Sequence, residues 1–114
     1  MGNYVDEKIF RSWNDGEQKE LSILIYKDGS GELSTPGITI GLSGTYDVRM
    51  LKKALHRAKE RGLARFFRRD GRELSVWQDI EGGIHVQGVS DYNIYFATPS
   101  DLGKFESILE KHIN

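Results

Sequence analysis

The sequence predicts an α+β protein of two tandem ββββα halves, and three repeated patterns support this fold class. A helix-like segment occurs at 47–55 (DVRMLKKAL) and again at 101–109 (DLGKFESIL), each with apolar residues on one helix face. A strand-like segment with matching letters precedes each helix, at 20–29 (ELSILIYKDG) and at 73–82 (ELSVWQDIEG). The same order of elements in both halves indicates an internal duplication. We therefore predict an intramolecular pseudo-dimer of antiparallel sheets with helices on one face.

Length and composition favour one domain, residues 1–114, built of two repeats at 8–62 and 64–114. A half of about 55 residues buries too little surface to be stable alone, so the halves are expected to share a core. The chain has 38% hydrophobic and 29% charged residues, which is typical of globular proteins. It has no cysteine, which favours a reducing compartment such as the cytoplasm. We expect no secretory signal and no membrane span.

Alternating polar and apolar residues predict four strands in the first half. Residues 1–7 are polar and are predicted to be loosely held, so the first strand is placed at 8–13 (KIFRSW). An Asp-Gly turn then leads to the longest strand, at 20–27. Shorter strands follow at 32–35 and 38–42, and the second of these alternates as a half-buried strand does.

The first helix has recognisable start and stop signals. Ser43 or Thr45 is predicted to cap it, because a hydroxyl accepts a hydrogen bond from an otherwise unpaired backbone N–H. Asp47 in the first turn suits the helix dipole. The helix is predicted to run to Arg61 and to end at Gly62. Its core face comprises Val48, Leu51, Leu55 and Ala58.

The second half repeats this plan, with strands predicted at 64–69, 73–80, 84–87 and 94–96. Alternation directs Leu74, Val76 and Ile80 towards the core. The residues expected to face away from the core are Trp77, His85, Gln87 and Tyr95. The second helix is predicted to be capped by Thr98 and to run to about His112.

The sequence contains few signs of catalytic chemistry. Its histidines, His56, His85 and His112, are too scattered for a zinc site, and there is no cysteine to complete one. The nucleophile elbow of hydrolases and the phosphate-binding Walker loop are both absent. We therefore predict a binding protein that is not an enzyme and needs no cofactor.

The charge is distributed very unevenly along the chain. Residues 49–72 contain ten Lys/Arg and two acidic residues, a net charge of +8, whereas the whole protein has a formal net charge of −1. Such asymmetry predicts an oriented electrostatic surface. The predicted partner-binding cations are Lys53, Arg57, Arg61, Arg65, Arg68, Arg69 and Arg72. Five of them, Arg57, Arg61, Arg65, Arg68 and Arg69, are expected to form one patch around the junction of the first helix and the next strand.

Aromatic residues are predicted on the sheet face turned away from the helices. Trp13 and Tyr26 in the first half and Trp77 and Tyr95 in the second are the predicted stacking residues. Single-stranded nucleic acid is bound by this combination, because bases stack on flat rings while cations follow the phosphates. The competing interpretation is that the aromatics fill a second core and the cations form a solvated helix face.

The repeated pattern resembles the PUR repeat of purine-rich-element binding proteins and, more loosely, the Whirly fold. The resemblance rests on ELSILIYKDGSGEL, ITIGLSG and LKKAL in the first half and on ELSVWQDIEGGIHV, IYFAT and FESIL in the second. PUR repeats carry Lys or Arg on the sheet after the second-strand turn, where this chain has Glu32 and Ile84. The resemblance implies binding of single-stranded DNA or RNA on the sheet, without catalysis.

Two functions therefore stay open at the level of sequence. The first is a small module that binds single-stranded DNA or RNA. The second is an inhibitor, such as a phage-encoded antagonist or an immunity-type protein, that docks on an acidic protein surface through its uneven charge. Neither interpretation predicts a membrane partner, and the oligomeric state is left open.

Overall fold

The structure, a computed structural model, describes residues 4–12, 18–35, 38–88 and 93–111. The order of elements along these residues is ββββα followed by ββββα. The first half comprises β1 (Tyr4–Ser12), β2 (Gln18–Tyr26), β3 (Ser30–Thr35), β4 (Ile38–Ser43) and α1 (Thr45–Arg61). The second half comprises β5 (Leu63–Phe67), β6 (Glu73–Gln78), β7 (Ile84–Gln87), β8 (Asn93–Phe96) and α2 (Pro99–Lys111).

The eight strands form two antiparallel sheets, in the orders β1-β2-β3-β4 and β5-β6-β7-β8. The predicted α+β class is confirmed. The first strand begins earlier than predicted, because β1 pairs with β2 along its whole length, from Tyr4 opposite Tyr26 to Ser12 opposite Gln18. The polar residues at its start concealed the strand, since backbone pairing with a neighbour does not require apolar side chains.

The predicted end and core face of α1 are confirmed, but its predicted cap is wrong. Gly62 ends the helix in the left-handed conformation, with φ 89°, which glycine adopts at little cost. At the start, Gly44 is the N-cap and no side chain caps the helix, so neither Ser43 nor Thr45 has the predicted role. The carboxylate of Asp47 instead accepts a hydrogen bond from the backbone N–H of Ser43 at 2.7 Å.

In the second half, the predicted cap of α2 is confirmed and the predicted burial of Ile80 is wrong. The Thr98 hydroxyl accepts a hydrogen bond from the backbone N–H of Asp101 at 3.2 Å. His112, the predicted end of α2, lies outside the described residues. Ile80 is fully exposed, because β6 ends at Gln78 and Ile80 lies in the turn that leads to β7.

Both helices pack across the boundary between the halves. α1 lies mainly against β5 and β6 of the second half, and α2 lies against β1 of the first half and β8 of its own, where Phe105 stacks on Phe96. The buried residues of both halves form one hydrophobic cluster, in which Leu51 and Leu55 of α1 and Phe105 and Leu109 of α2 are fully buried. Neither half therefore contains a complete core. Within the described part of the chain, neither helix combines the length and the apolar character needed to cross a membrane.

Candidate nucleic-acid interface

In the described part of the chain, the second sheet has one face covered by α1 and one face on which no helix lies, which we call the open face. Because side chains alternate along a strand, the burial of Phe66, Leu74 and Val76 under α1 directs their neighbours to the open face. Strand register sets these neighbours in rows. The first row runs across the sheet through Leu63, Trp77, His85 and Tyr95.

Three rings of this row stack on one another. The Trp77 and His85 rings are 3.8 Å apart and nearly parallel, and the His85 and Tyr95 rings are 4.4 Å apart. As a result, His85 is only 4% exposed and Tyr95 only 8% exposed. Trp77 is half-buried, and its indole N–H donates to the Gln87 side-chain oxygen at 3.2 Å. Tyr95 therefore lies on the predicted face, and its ring is largely covered there.

A carboxylate in the β6–β7 turn holds this row in place. One oxygen of Asp79 lies 2.9 Å from His85 Nε2, and the other accepts hydrogen bonds from the backbone N–H groups of Glu81 and Gly83. Burial alone raises the pKa of Asp79, but these hydrogen bonds outweigh it and hold the pKa below its ordinary value. The contact with Asp79 therefore fixes the orientation of the His85 ring, and stacking on this ring fixes the orientation of the Trp77 indole.

Tyr95 at the other end of the row depends on a glycine. Its ring lies directly over Gly83, where even one added carbon would collide with it. Burial, followed by the nearby negative charges of Asp79 and Glu81, raises the pKa of the Tyr95 hydroxyl. The row therefore ends in a ring that is covered by the backbone of the β6–β7 turn.

The exposed part of the open face lies on β5, which is an edge strand. Phe67 is 63% exposed and Leu63 is 45% exposed, with exposed Arg65 between them on the same face. Together with Trp77, which is paired opposite Leu63, they form a surface that we call the open-face platform. The sequence prediction missed Leu63 and Phe67, although their two-residue spacing from Arg65 was the signal that would have found them.

The predicted basic patch is divided among separate surfaces. Arg57 and Arg61 are exposed on α1, whereas Arg65 lies on the open face of the sheet. The turn that carries Arg69 lies at the opposite end of α1, because the backbone N–H of Arg69 donates to Asp47 at 2.9 Å. Asp47 and Arg61 are separated by roughly 21 Å along the helix at about 1.5 Å per residue. The prediction of one patch is therefore wrong.

Arg68 differs from the other predicted cations because it is buried. Only 6% of it is exposed, and its Nη1 donates to the backbone carbonyl of Gly41 in β4 at 3.0 Å. Its Nε has no hydrogen-bond partner among the described residues. Arg68 thus links the turn after β5 to the first sheet, and its inclusion in an exposed patch was wrong.

Three further predicted residues, Tyr26, Lys53 and Arg72, lie on other elements than the platform. Tyr26 is exposed at the end of β2, in the first sheet. Lys53 is exposed on α1, and Arg72 is exposed in the turn before β6. Trp13 lies outside the described residues. From the predicted set, the structure therefore places Arg65, Trp77 and Tyr95 on the same face of the second sheet, with Arg65 and Tyr95 on its two opposite edge strands.

Among the described residues, no three His, Cys, Asp or Glu side chains are grouped so as to hold a metal ion. Comparisons with protein-family models, with curated proteins and with solved structures gave no match for this chain. The functional argument therefore depends on the chemistry of the surfaces.

Proposed function

We propose that this protein is a non-catalytic module, acting in the cytoplasm, that binds single-stranded DNA or RNA on the open-face platform. The observation that carries the proposal is the exposure of Phe67, 63% of which is in contact with solvent, beside the cation of Arg65. An exposed ring next to a cation that has no ion-pair partner among the described residues suits a polymer that carries both flat bases and phosphates. The resemblance to PUR repeats supports binding on a sheet of this kind.

Stacking on the platform accounts for affinity without sequence selectivity. A base stacked on an aromatic side chain contributes about 1–3 kcal/mol, and every base has a face that can stack. Phe67 offers an exposed ring, and the half-buried Trp77 offers the part of its indole that His85 does not cover. Arg65 attracts the phosphates that connect the bases stacked on these two rings. Arg61 is a second cation that lies close by in sequence, just before β5 begins.

We further propose that the chain is an intramolecular pseudo-dimer, produced by duplication of a ββββα unit. The reciprocal packing of the helices supports this, since α1 lies on the second sheet and α2 lies against β1 of the first. A two-fold relation between the units generates such an exchange. The duplicated units then differ in function, because the first sheet has Leu24, Glu32 and Gly41 in one row where the second has three stacked rings.

The platform predicts a selective effect of two alanine substitutions on oligonucleotide binding. Phe67→Ala and Trp77→Ala are each expected to weaken binding of a labelled single-stranded oligonucleotide by about 5- to 150-fold, the equivalent of about 1–3 kcal/mol of lost stacking. Fluorescence anisotropy measures the affinity, and circular dichroism checks the fold. Tyr46→Ala is the matched control, since Tyr46 is an exposed aromatic residue on α1. Unchanged affinity of the Phe67→Ala protein would contradict the proposal.

One observation favours the alternative, an inhibitor that docks on a protein. Leu63 and Ile80 are exposed aliphatic residues, which offer no ring to a base but are suited to a protein interface. Under this alternative, the wild-type protein binds no oligonucleotide even at low salt. Substitution of Leu63 or Ile80 would then weaken the binding of this protein to an acidic protein partner.

A further inference from the structure

A second cationic surface lies on α1, where an open groove of about 530 Å³ runs along the helix beside α2. The groove is lined by Arg49, Lys52, Lys53, His56, Arg57 and Glu106. The first five lie on one side of α1, because each of them has another of the five three or four residues away, the spacing of neighbours on a helix surface. We call this surface the α1 groove.

Ion pairs neutralise the acidic residue of the groove and leave cations exposed. Both carboxylate oxygens of Glu106 accept hydrogen bonds from Lys59 Nζ, at 2.9 and 2.8 Å. Lys52 forms an ion pair with Glu110 on α2. Lys53 and Arg57 are exposed, and among the described residues neither has an ion-pair partner. The groove therefore presents net positive charge to solvent.

We infer that the α1 groove binds the sugar-phosphate backbone of a nucleic-acid strand. Its lining side chains have apolar stems but all end in charged or titratable groups, and among the described residues no apolar one of the kind found at the centre of a protein interface lines it. Phosphate contacts need only cations at suitable spacing. Arg49, Lys53 and Arg57 follow one another at four-residue intervals, about 6 Å apart along the helix axis, comparable to the spacing of successive phosphates in a strand. A phosphate backbone is the occupant that this charge favours.

This inference deepens the proposed function and rests on it. α1 covers the inner face of the second sheet, so the α1 groove and the open-face platform lie on opposite sides of that sheet. The edge strand β5 and Arg61, at the end of α1, lie between the two surfaces. A strand that passes around this edge contacts bases on one side and phosphates on the other.

The test measures how one double variant of the groove binds two different ligands. Lys53→Gln combined with Arg57→Gln removes two cations from the groove, and the ligands are a single-stranded oligonucleotide and an abasic oligonucleotide of equal length. Loss of two phosphate contacts is expected to reduce the magnitude of the negative slope of log K against log salt by about 1.4, since each contact contributes about 0.7 for single strands. Both ligands should show this decrease, because the groove does not contact bases.

Two controls make the result specific. Lys27→Gln combined with Lys104→Gln removes the same charge from exposed positions outside the groove and should leave the slope unchanged. Lys53→Arg combined with Arg57→Lys keeps both charges and should bind as the wild type does. Circular dichroism shows whether each variant is folded.

The outcomes separate this inference from the proposed function. The inference is overturned if the groove variant binds both ligands with the wild-type slope. It is also overturned if an acidic protein, and neither oligonucleotide, binds at the α1 groove. If the abasic strand binds as tightly as the normal one and loses affinity in the groove variant, the groove is supported and base stacking on the platform fails. If neither ligand binds the wild-type protein at low salt, both fail.

Discussion

Arg68 reaches from the turn after β5 to the backbone of β4 and joins the two halves through one hydrogen bond. A buried guanidinium is expensive to desolvate, and its cost is offset only where its N–H groups find acceptors. Here the Gly41 carbonyl supplies one acceptor at 3.0 Å. The residue is therefore part of the packing between halves, while its neighbours Arg69 and Arg72 are exposed.

Single substitutions distinguish these roles. Arg68→Ala is expected to lower the free energy of unfolding by about 1–3 kcal/mol, because it leaves a cavity and a carbonyl without its partner. Arg69→Ala is the control and should change stability by less than about 0.5 kcal/mol, since its side chain is exposed. Urea denaturation measures both. Equal stability of the two variants would contradict the structural role of Arg68.

At the scale of elements, α1 is attached to both sheets by the acidic residue in its first turn. Asp47 is fully buried and accepts hydrogen bonds from the backbone N–H of Ser43, at the end of β4, and of Arg69, in the turn after β5. These bonds fix the start of the helix relative to both halves. The corresponding residue of α2, Asp101, is only partly buried.

Substitution of these two aspartates should have unequal effects. Asp47→Ala is expected to destabilise the protein by about 2–6 kcal/mol, because two partly buried backbone N–H groups lose their acceptor and each unsatisfied group costs about 1–3 kcal/mol. Asp101→Ala loses mainly its interaction with the helix dipole, worth about 0.3–1 kcal/mol. Thermal unfolding followed by circular dichroism compares them. A loss at Asp101 as large as that at Asp47 would show that Asp47 does not link the sheets.

At the scale of the whole molecule, the packing of both helices across the two halves makes the halves interdependent. The cluster of buried residues draws on both sheets and both helices, so removal of one helix exposes the sheet of the other half. We therefore expect a single cooperative unfolding transition.

Core substitutions in either helix should lower that one transition. Leu55→Ala and Leu109→Ala are each expected to cost about 2–5 kcal/mol, because both leucines are fully buried. Circular dichroism and tryptophan fluorescence should report the same midpoint in each variant. Leu63→Ala, at an exposed leucine, should change stability by less than about 0.5 kcal/mol. Two separate transitions in either core variant would contradict the shared core.

Local patterns in the sequence determined most of the elements and their buried faces. The apolar face of α1, the inward positions of Leu74 and Val76 in β6, the stop at Gly62 and the cap at Thr98 all depend on residues close to each other in sequence. Such signals are readable in the sequence because the interactions that enforce them are local. The open face of the second sheet was predictable for the same reason, since alternation alone assigns Trp77, His85 and Tyr95 to one side.

Only the tertiary structure decided which of these residues are accessible. The stacking of Trp77 on His85 and of His85 on Tyr95 covers rings that alternation left open. The burial of Arg68 against Gly41 and the attachment of Arg69 to Asp47 divide a basic run that is continuous in sequence. These contacts join residues from different strands and from both halves. Their distances depend on how the two sheets and the two helices pack, and no local periodicity specifies that packing.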